Sequence, residues 1–450
     1  MGFFLRLEEY IEDYAAGDPK DLIVLFRSVL ERVALVIESS NNPRELNLIG
    51  LALIDLSTYA LTSLDHAHSA QTPRGLVQML RAIRDKLYAG SLLIVSPKTE
   101  HNYTITNIYP EVYKHTKRLL SNSIAKEILS NCEAGINVVG FPRIERENIL
   151  LHVLFGHEFG HPVADEFIAA EAKSKKSKAD LASIRKQVNS VVRTYKINDN
   201  LDRTEAHKNL FVRVIEIRTR GLQELVSDAV ATFIFGPSAI FAAADVLIPD
   251  GLDNVPTGPE YYPPTRFRIR LMMKVLAETE YLRVLREITL PRYLIPIRQA
   301  VNRHMKLLSE IAKGSDDLKA ISNLDEHRIA FNWLQRSLTG AIAHAKRRVE
   351  KSTYSSKIAR LEVPQCLERL YLEVPPGEIG KFPHLKAVDC RSAILAGWMY
   401  KIYQVTRKDA DWITRAKQIS MAQSLTLKGI EDSFLKGEYD EKYPRTTIKL

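Results

Sequence analysis

The sequence predicts a predominantly α-helical chain of the α+β class, on three observations. Residues 1–90 contain "DLIVLFRSVLERVALVIESS" (21–40), "ELNLIGLALIDLSTYALTSLDHAH" (45–68) and "RGLVQMLRAIRDKLYAG" (74–90), each with apolar residues at helical spacing. Three short β-branched runs follow, "SLLIVSP" (91–97), "YTITNIY" (103–109) and "GINVVGFPR" (135–143), and they predict a small sheet. From "TRFRIRLMMKVLAETEYLRVL" onward the pattern is again helical, interrupted by the Pro/Gly-rich "EVPPGEIGKFPH" (373–384).

Taken in order, Gly90 is a stop for the third helix, and the polar "KTEHN" separates the first two strands. "VYKHTKRLLSNSIAKEILSN" predicts a helix leading to the third strand. "ENILLHVLFGHEFGHPVADEFIAAEA" predicts another, ending at the polar "KSKKSKAD", a solvated loop or helix start. "LASIRKQVNSVVRTYKI" reads as an inserted helix or hairpin of helices, and "LFVRVIEIRTRGLQELVSDAVATFIFGPSAIFAAADVL" as a buried helix. Gly251, Pro256, Gly258, Pro259, Pro263 and Pro264 mark a loop-rich junction. At 450 residues the chain exceeds one ordinary core. The expected organisation is an N-terminal helical region (1–90), a central region (91–250) with a basic helical insertion near 171–208, and a C-terminal helical domain (251–450). Trp333 and Trp398 fall in apolar-patterned helices, as does "LAGWMYKIYQV" (395–405); Trp412 is expected to anchor an amphipathic helix.

Hydrophobic content of 45% and charged content of 26% fit a soluble globular protein. No run of eighteen apolar residues appears, so no membrane span is expected. Glu8, Glu9, Glu12 and Asp13 come too early for a signal peptide, and Gly2 lacks the Ser or Thr at position 6 that myristoylation favours. Cys132, Cys366 and Cys390 lie far apart with no CxxC pair, which fits a reducing compartment, and the cytoplasm is the expected location. A net charge of +9 over this length permits contact with nucleic acid without requiring it.

Chemistry concentrates in "FGHEFGHPVADEF" (155–167). His157 and His161 are i and i+4, so one helical turn points both at a common ion, with Zn–N distances of about 2 Å. Glu158, beside the first histidine, is placed to act as general base on a metal-bound water. Pro162 then deletes a helical hydrogen bond to Glu158 and crowds its carbonyl. Because His161 completes the coordinating turn, the break is expected just after it. Gly160 and Pro162 are both poor helix residues, which makes sense where backbone approaches something closely and then turns. His152 lies off the ligand face and reads as a core or cap histidine. A metal needs a third protein ligand, and "GLQELVSDAVATFIFGP" offers Glu224 and Asp228, again i and i+4, in an otherwise apolar helix where carboxylates need compensation. The bland alternative is a surface helix with both carboxylates in water. His66 and His68, two apart near a helix end, read as surface residues.

"HEFGH" followed by "ELVSD" resembles the HExxH…ExxxD signature of the gluzincin branch of zinc metallopeptidases. The likeness to bacterial members spans about 120 residues, 135–250. It implies a zincin-like catalytic core holding one Zn²⁺ per chain, with His157, His161 and Glu224 as ligands, Glu158 as base and Asp228 fixing a ligand histidine. It implies hydrolysis of a protein or peptide, and a substrate-pairing strand for which "INVVGF" (136–141) is placed. Two departures are visible: 63 residues separate His161 from Glu224, and no motif supplies the group that polarises the scissile carbonyl. Tyr262, Arg266 and His207 are candidates by position, with Tyr261 beside them, and "YYPPTRFR" is favoured.

Two other readings stand beside it. A deformylase-like hydrolase would use Cys132 as third ligand, but the accompanying deformylase motifs are missing. A catalytically inactive helical scaffold would bind nucleic acid or protein partners through "KHTKR" (114–118), "KSKKSK" (173–178), "RFRIR" (266–270) and "AKRR" (345–348). No aromatic interleaving accompanies these clusters. Substrate identity and oligomeric state are not written in the sequence, though a large helical envelope suggests selective cleavage.

Overall fold

A computed structural model describes residues 6–7, 18–65, 67, 71–195, 199–253, 261–313, 324–381 and 384–442. His66, His68, Pro256, Gly258 and Pro259 lie outside the described residues. The chain is mostly helical with a small sheet, and it divides into two compact units.

The first unit comprises Met1–His152, Gly380–Cys390 and Gln423–Leu450. It holds α1 (Asp18–Ser39), α2 (Pro43–Leu64), α3 (Arg74–Leu87), α4 (Tyr109–Leu119), α5 (Asn122–Leu129) and the second half of the C-terminal helix (Trp412–Lys442), together with a three-stranded sheet of β1 (Leu92–Lys98), β2 (Thr104–Asn107) and β3 (Ile136–Pro142) and the two-residue strand Lys386–Ala387. Leu22, Phe26 and Val29 of α1, Ile49 and Leu56 of α2, Val112 of α4 and Leu129 of α5 share one core with Ile94, Ile136 and Val138 of the sheet. A core drawn from both sides of residue 90 leaves no division there. The expected helix over 112–131 is two helices, because Ser121 caps α5 by accepting the Ile124 N–H. Asp18, at the start of α1, accepts the Leu93 N–H at 2.7 Å and pairs with Arg84 at 2.8 Å, tying helix to sheet.

β1 and β2 are not neighbours: the sheet order is β1-β3-β2. β3 runs parallel to β1 (Leu92↔Ile136 through Lys98↔Pro142) and antiparallel to β2 (Thr104↔Gly140 through Asn107↔Asn137). The "INVVGF" strand is therefore central, its residues 137–140 paired on both sides, and it has no free edge there for a substrate strand. α2 is the one helix among the described residues long and apolar enough to cross a membrane, by length and composition alone. Its Ile49, Ala52, Leu56 and Ala60 side joins the core, while Leu48, Leu51 and Ile54 are exposed.

The second unit comprises Val153–Ile379 and Arg391–Ala422. It contains α6 (Phe155–Glu158), α7 (Gly160–Ala172), α8 (Lys175–Val192), α9 (Asn200–Phe235), α10 (Pro237–Leu247), α11 (Thr265–Glu278), α12 (Tyr281–Glu287), α13 (Ile295–Ile311), α14 (Asp325–Arg348), α15 (Ser356–Tyr371) and most of α16 (Cys390–Thr406). The basic run begins α8: Ser174 caps it through the Ser177 N–H, so much of "KSKKSK" is helix. α9 is a 36-residue helix, exposed over its first half and buried almost continuously from Leu222 to Phe235. α6, α7, α8, α11 and α14 pack on it. At its middle the buried Arg218 pairs with Glu171 of α7, donates to Ser337 of α14 at 2.9 Å and lies 4.2 Å over the Trp333 ring. The expected boundary near 250 falls inside this unit, because α11 packs on α9. Trp333 and Trp398 are core residues as expected, whereas Trp412 is 70% exposed and not the buried anchor expected of it.

Candidate metal centre

The helical ladder breaks at Phe159, between the two histidines and not after the second. Pro162 has no N–H, so the carbonyl of Glu158 loses its i+4 donor, and the gap opens one residue later. Pro162 itself sits in the first turn of α7, where a missing donor costs least. Phe159 keeps helical angles (φ −63°, ψ −18°), and its N–H bonds the Phe155 carbonyl at 2.9 Å. The turn thus continues without one bond, and the rings of His157 and His161 stand 4.8 Å apart at 90°.

Two glycines seat this turn on α9. A Cβ on Gly160 would lie 2.4 Å from Ser227 Cα, and one on Gly156 would lie 3.0 Å from Ala231 Cα and 2.9 Å from the Phe235 ring. Only hydrogen fits at these points, so the backbones of α6 and α7 come directly against the face of α9 that carries Glu224 and Asp228. Gln223 donates to Asp165 at 2.7 Å, a further link between α9 and α7.

The two motifs then meet atom to atom. Asp228 Oδ1 lies 2.9 Å from His157 Nδ1, and Glu224 Oε2 lies 3.3 Å from His157 Nε2. Both carboxylates are only 2% exposed, which removes the surface-helix alternative. Nε2 of His161 is 3.9 Å from Glu158 Oε2. His157, Glu158 and His161 can each offer a ligand atom within 4.8 Å of the others, a grouping that could hold a metal ion. Glu224, the expected third ligand, stands beside His157 but is not part of that grouping.

Electrostatics follow from burial against pairing. Burial favours a neutral His157, but bonds and charges from Asp228 and Glu224 outweigh it and raise the imidazole to about 9. It is therefore a cation donating on both sides, and a metal ion at Nε2 would stand where that proton stands. Burial, helped by the His157 charge, lowers His161 to about 4, leaving its imidazole neutral with a lone pair to give. Burial pushes Glu158 up to about 7 against the pull of His157. Burial opposes ionisation of Asp228 and Glu224 too, yet Arg268 and His157 hold both below the usual carboxylate range. One oxygen of Glu224, Oε1, is buried without a hydrogen-bond partner among the described residues. A neutral histidine beside a histidine fixed by a carboxylate could supply two ligands to a metal ion, and Glu158 is the carboxylate grouped with them.

Arginines are what the sequence reading missed. Arg268 of α11 is buried and grips Asp228 through Nε and Nη2 at 2.7 and 2.8 Å, while its Nη1 lies 3.4 Å from Glu224 Oε2. Arg220, one turn before Glu224, lies 3.3 Å from Glu224 Oε1 and donates to the Tyr262 hydroxyl at 3.0 Å, with its guanidinium 5.0 Å over the Tyr262 ring. The i,i+4 spacing of Arg220 and Glu224 was a readable signal. Arg268 was visible only as part of "RFRIR", which is no exposed basic patch: Arg266 is bound to Asp253, and Arg270 donates to the Ala312 carbonyl.

Of the candidate polarising groups, Tyr262 reaches the network through Arg220. Arg266 does not: its guanidinium is taken by Asp253 and by the carbonyls of Ile311 and Lys313. His207 does not either, since seventeen residues of continuous helix put it roughly 25 Å along α9 from Glu224. Tyr261 is buried against His327 and Phe331. His152 is a buried histidine held by Tyr103 and the Arg146 carbonyl at 3.3 Å each. Cys132 is buried in the core of the first unit. No described protein family, curated protein or solved structure matches the chain.

Proposed function

We propose that the chain is a zinc-dependent metallopeptidase with a zincin-like core, in which His157, His161 and Glu224 hold one Zn²⁺. The observation that carries this reading is the double engagement of His157, with Asp228 on Nδ1 at 2.9 Å and Glu224 beside Nε2 at 3.3 Å. Two motifs far apart in sequence meet as a ligand histidine and its orienting carboxylate meet. Bound zinc supplies a Lewis acid that polarises a peptide carbonyl and acidifies water. Glu158 takes the proton of the attacking water and hands it to the leaving amine. Asp228 fixes the His157 tautomer, and Tyr262, steadied by Arg220, offers its O–H to the developing oxyanion. The large helical surround favours selective cleavage of particular proteins or peptides. Three free cysteines fit a reducing compartment, and the proposed location is the cytoplasm.

The test is the zinc content of purified wild type and Glu224→Ala, with peptide hydrolysis by wild type and Glu158→Gln. Stoichiometric zinc in wild type, less in Glu224→Ala, and hydrolysis abolished by Glu158→Gln are expected. Absence of stoichiometric zinc from wild type would sink the proposal. One observation favours a second reading: Arg268 already neutralises Asp228 and approaches Glu224, so the charges balance with no ion. On that reading the site is the inert interior of a scaffold that binds protein or nucleic-acid partners, and wild type takes up no zinc.

A further inference from the structure

We infer that Arg220 is the carboxylate-binding residue of this site, and that its substrates are peptides bearing an anionic group beside the scissile bond. The inference rests on the metallopeptidase reading and adds a substrate class to it.

Two arginines, Arg220 and Arg268, approach the site from within the second unit, and a third, Arg218, lies on the same helix as Arg220. Arg268 is 8% exposed, with its donors committed to Asp228 and Glu224, and Arg218 is buried against Glu171 and Ser337. Arg220 differs: its side chain is 36% exposed, and its hydrogen-bond partner among the described residues is the Tyr262 hydroxyl. A guanidinium carries five N–H donors in a planar fork that matches a carboxylate. Stacked on Tyr262 and drawn toward Glu224, this fork is held in place before any ligand arrives, so little side-chain freedom is lost on binding. It stands beside the site through Glu224, one turn along the same helix, at 3.3 Å.

The charge balance points the same way. With zinc in place, the ion, Arg220 and Arg268 outweigh Glu158, Glu224 and Asp228 by one formal positive charge. A site with excess positive charge favours an anion, and the partly exposed fork of Arg220 is where that anion can be met in two hydrogen bonds. The carboxylate has two sources, a peptide C terminus or an Asp or Glu side chain.

The experiment uses full-length, zinc-loaded Glu158→Gln and four N-blocked pentapeptides, with Glu or Gln beside the central bond and a free or amidated C terminus. Binding is read by fluorescence anisotropy. The acidic member of a pair should bind about tenfold or more tightly, as one charge-assisted contact supplies. Preference following the Glu/Gln exchange assigns a side-chain carboxylate, and preference following amidation assigns the C terminus. Adding Arg220→Gln should erase the preference while zinc content stays the same, and Arg220→Lys should keep part of it. Equal affinity for all four peptides, or none, overturns the inference, as does loss of zinc in Arg220→Gln, which would mean that Arg220 serves only to hold Glu224. In active enzyme, removal of Arg220 loosens Tyr262 and lowers kcat for both peptides, but it should raise KM for the acidic peptide more than for the neutral one; an equal change in KM for the two overturns the inference. If the loaded protein holds no stoichiometric zinc, it is the metallopeptidase reading that fails.

Discussion

Asp228 is the residue on which the candidate site turns, with His157 on one oxygen and Arg268 on both. Buried ions are tolerated only in such company, and removing one partner leaves the other uncompensated. Asp228→Ala should therefore cost about 3–5 kcal/mol of stability, read as a lower urea midpoint, and Asp228→Asn less. The double variant Asp228→Leu/Arg268→Met should recover much of the loss, because no bare guanidinium remains; additive losses would contradict this pairing. Zinc affinity should fall about 10–100-fold in Asp228→Asn, as when a ligand histidine loses its orienting carboxylate. His152, in the other unit, makes the opposite electrostatic statement. Burial drives its pKa down from 6.5 to about 4 against the pull of the Arg146 carbonyl, while its other ring nitrogen faces the Tyr103 hydroxyl. The folded value lies below the unfolded one, so the unfolded chain takes up the proton first. This contribution is complete above pH 6.5 and is lost as pH falls toward 4, on the order of 3 kcal/mol. His152→Gln should flatten that limb in denaturation curves measured from pH 7 to 4; an unchanged slope would refute the assignment.

Between elements, the decisive contact is a backbone one. Gly160→Ala would push a methyl carbon to 2.4 Å from Ser227 Cα, and a helix backbone cannot yield as a side-chain tip can. The expected cost is about 1–3 kcal/mol with weaker zinc binding, since α7 must lift His161 away from α9. Gly50→Ala is the control: it lies inside α2 with nothing within 4 Å of the added carbon, and should stabilise by roughly 1 kcal/mol. Matching urea midpoints for the two variants would show that the close approach does not matter. This contact also marks where sequence patterns stop. His157, His161, Glu224 and Asp228 were legible because i,i+4 spacing is a local property, and an apolar helix makes its carboxylates conspicuous. Gly160 was legible as a close approach, though not its target. Arg268 was hidden because its partner lies 40 residues away on another helix. The ladder break was misplaced because His161 was expected to complete an unbroken turn, whereas the Glu158 carbonyl that loses its donor lies ahead of it. Strand order was hidden too: "SLLIVSP" and "YTITNIY" are neighbours in sequence, but a parallel pairing of β1 with β3 puts β3 between them.

For the whole chain, the expected division at 90 and 250 fails for a physical reason: a compact unit is closed by contacts, and these return from the far end of the sequence. Gln423–Leu450 belongs with Met1–His152. Within that unit the Gly75 N–H bonds Glu431 at 3.2 Å, and a Cβ on Gly75 would lie 2.9 Å from the Leu427 carbonyl. Gln423 donates to Asn148 at 2.7 Å, and Ile430 and Thr426 are fully buried. No pattern within residues 1–90 announces that its third helix waits for a partner more than 300 residues later. A chain ending at Ala422 should therefore lose protection in residues 71–152 first. Limited proteolysis and hydrogen exchange should report new cleavage and faster exchange around α3 and β1, while the α9 segment carrying Glu224 and Asp228 keeps its slow amides. Glu431→Ala alone removes one hydrogen bond and should cost only about 1 kcal/mol, without that local opening. If the shortened chain protects α3 as well as the full one does, the C-terminal helix is an accessory to the first unit and not part of its core.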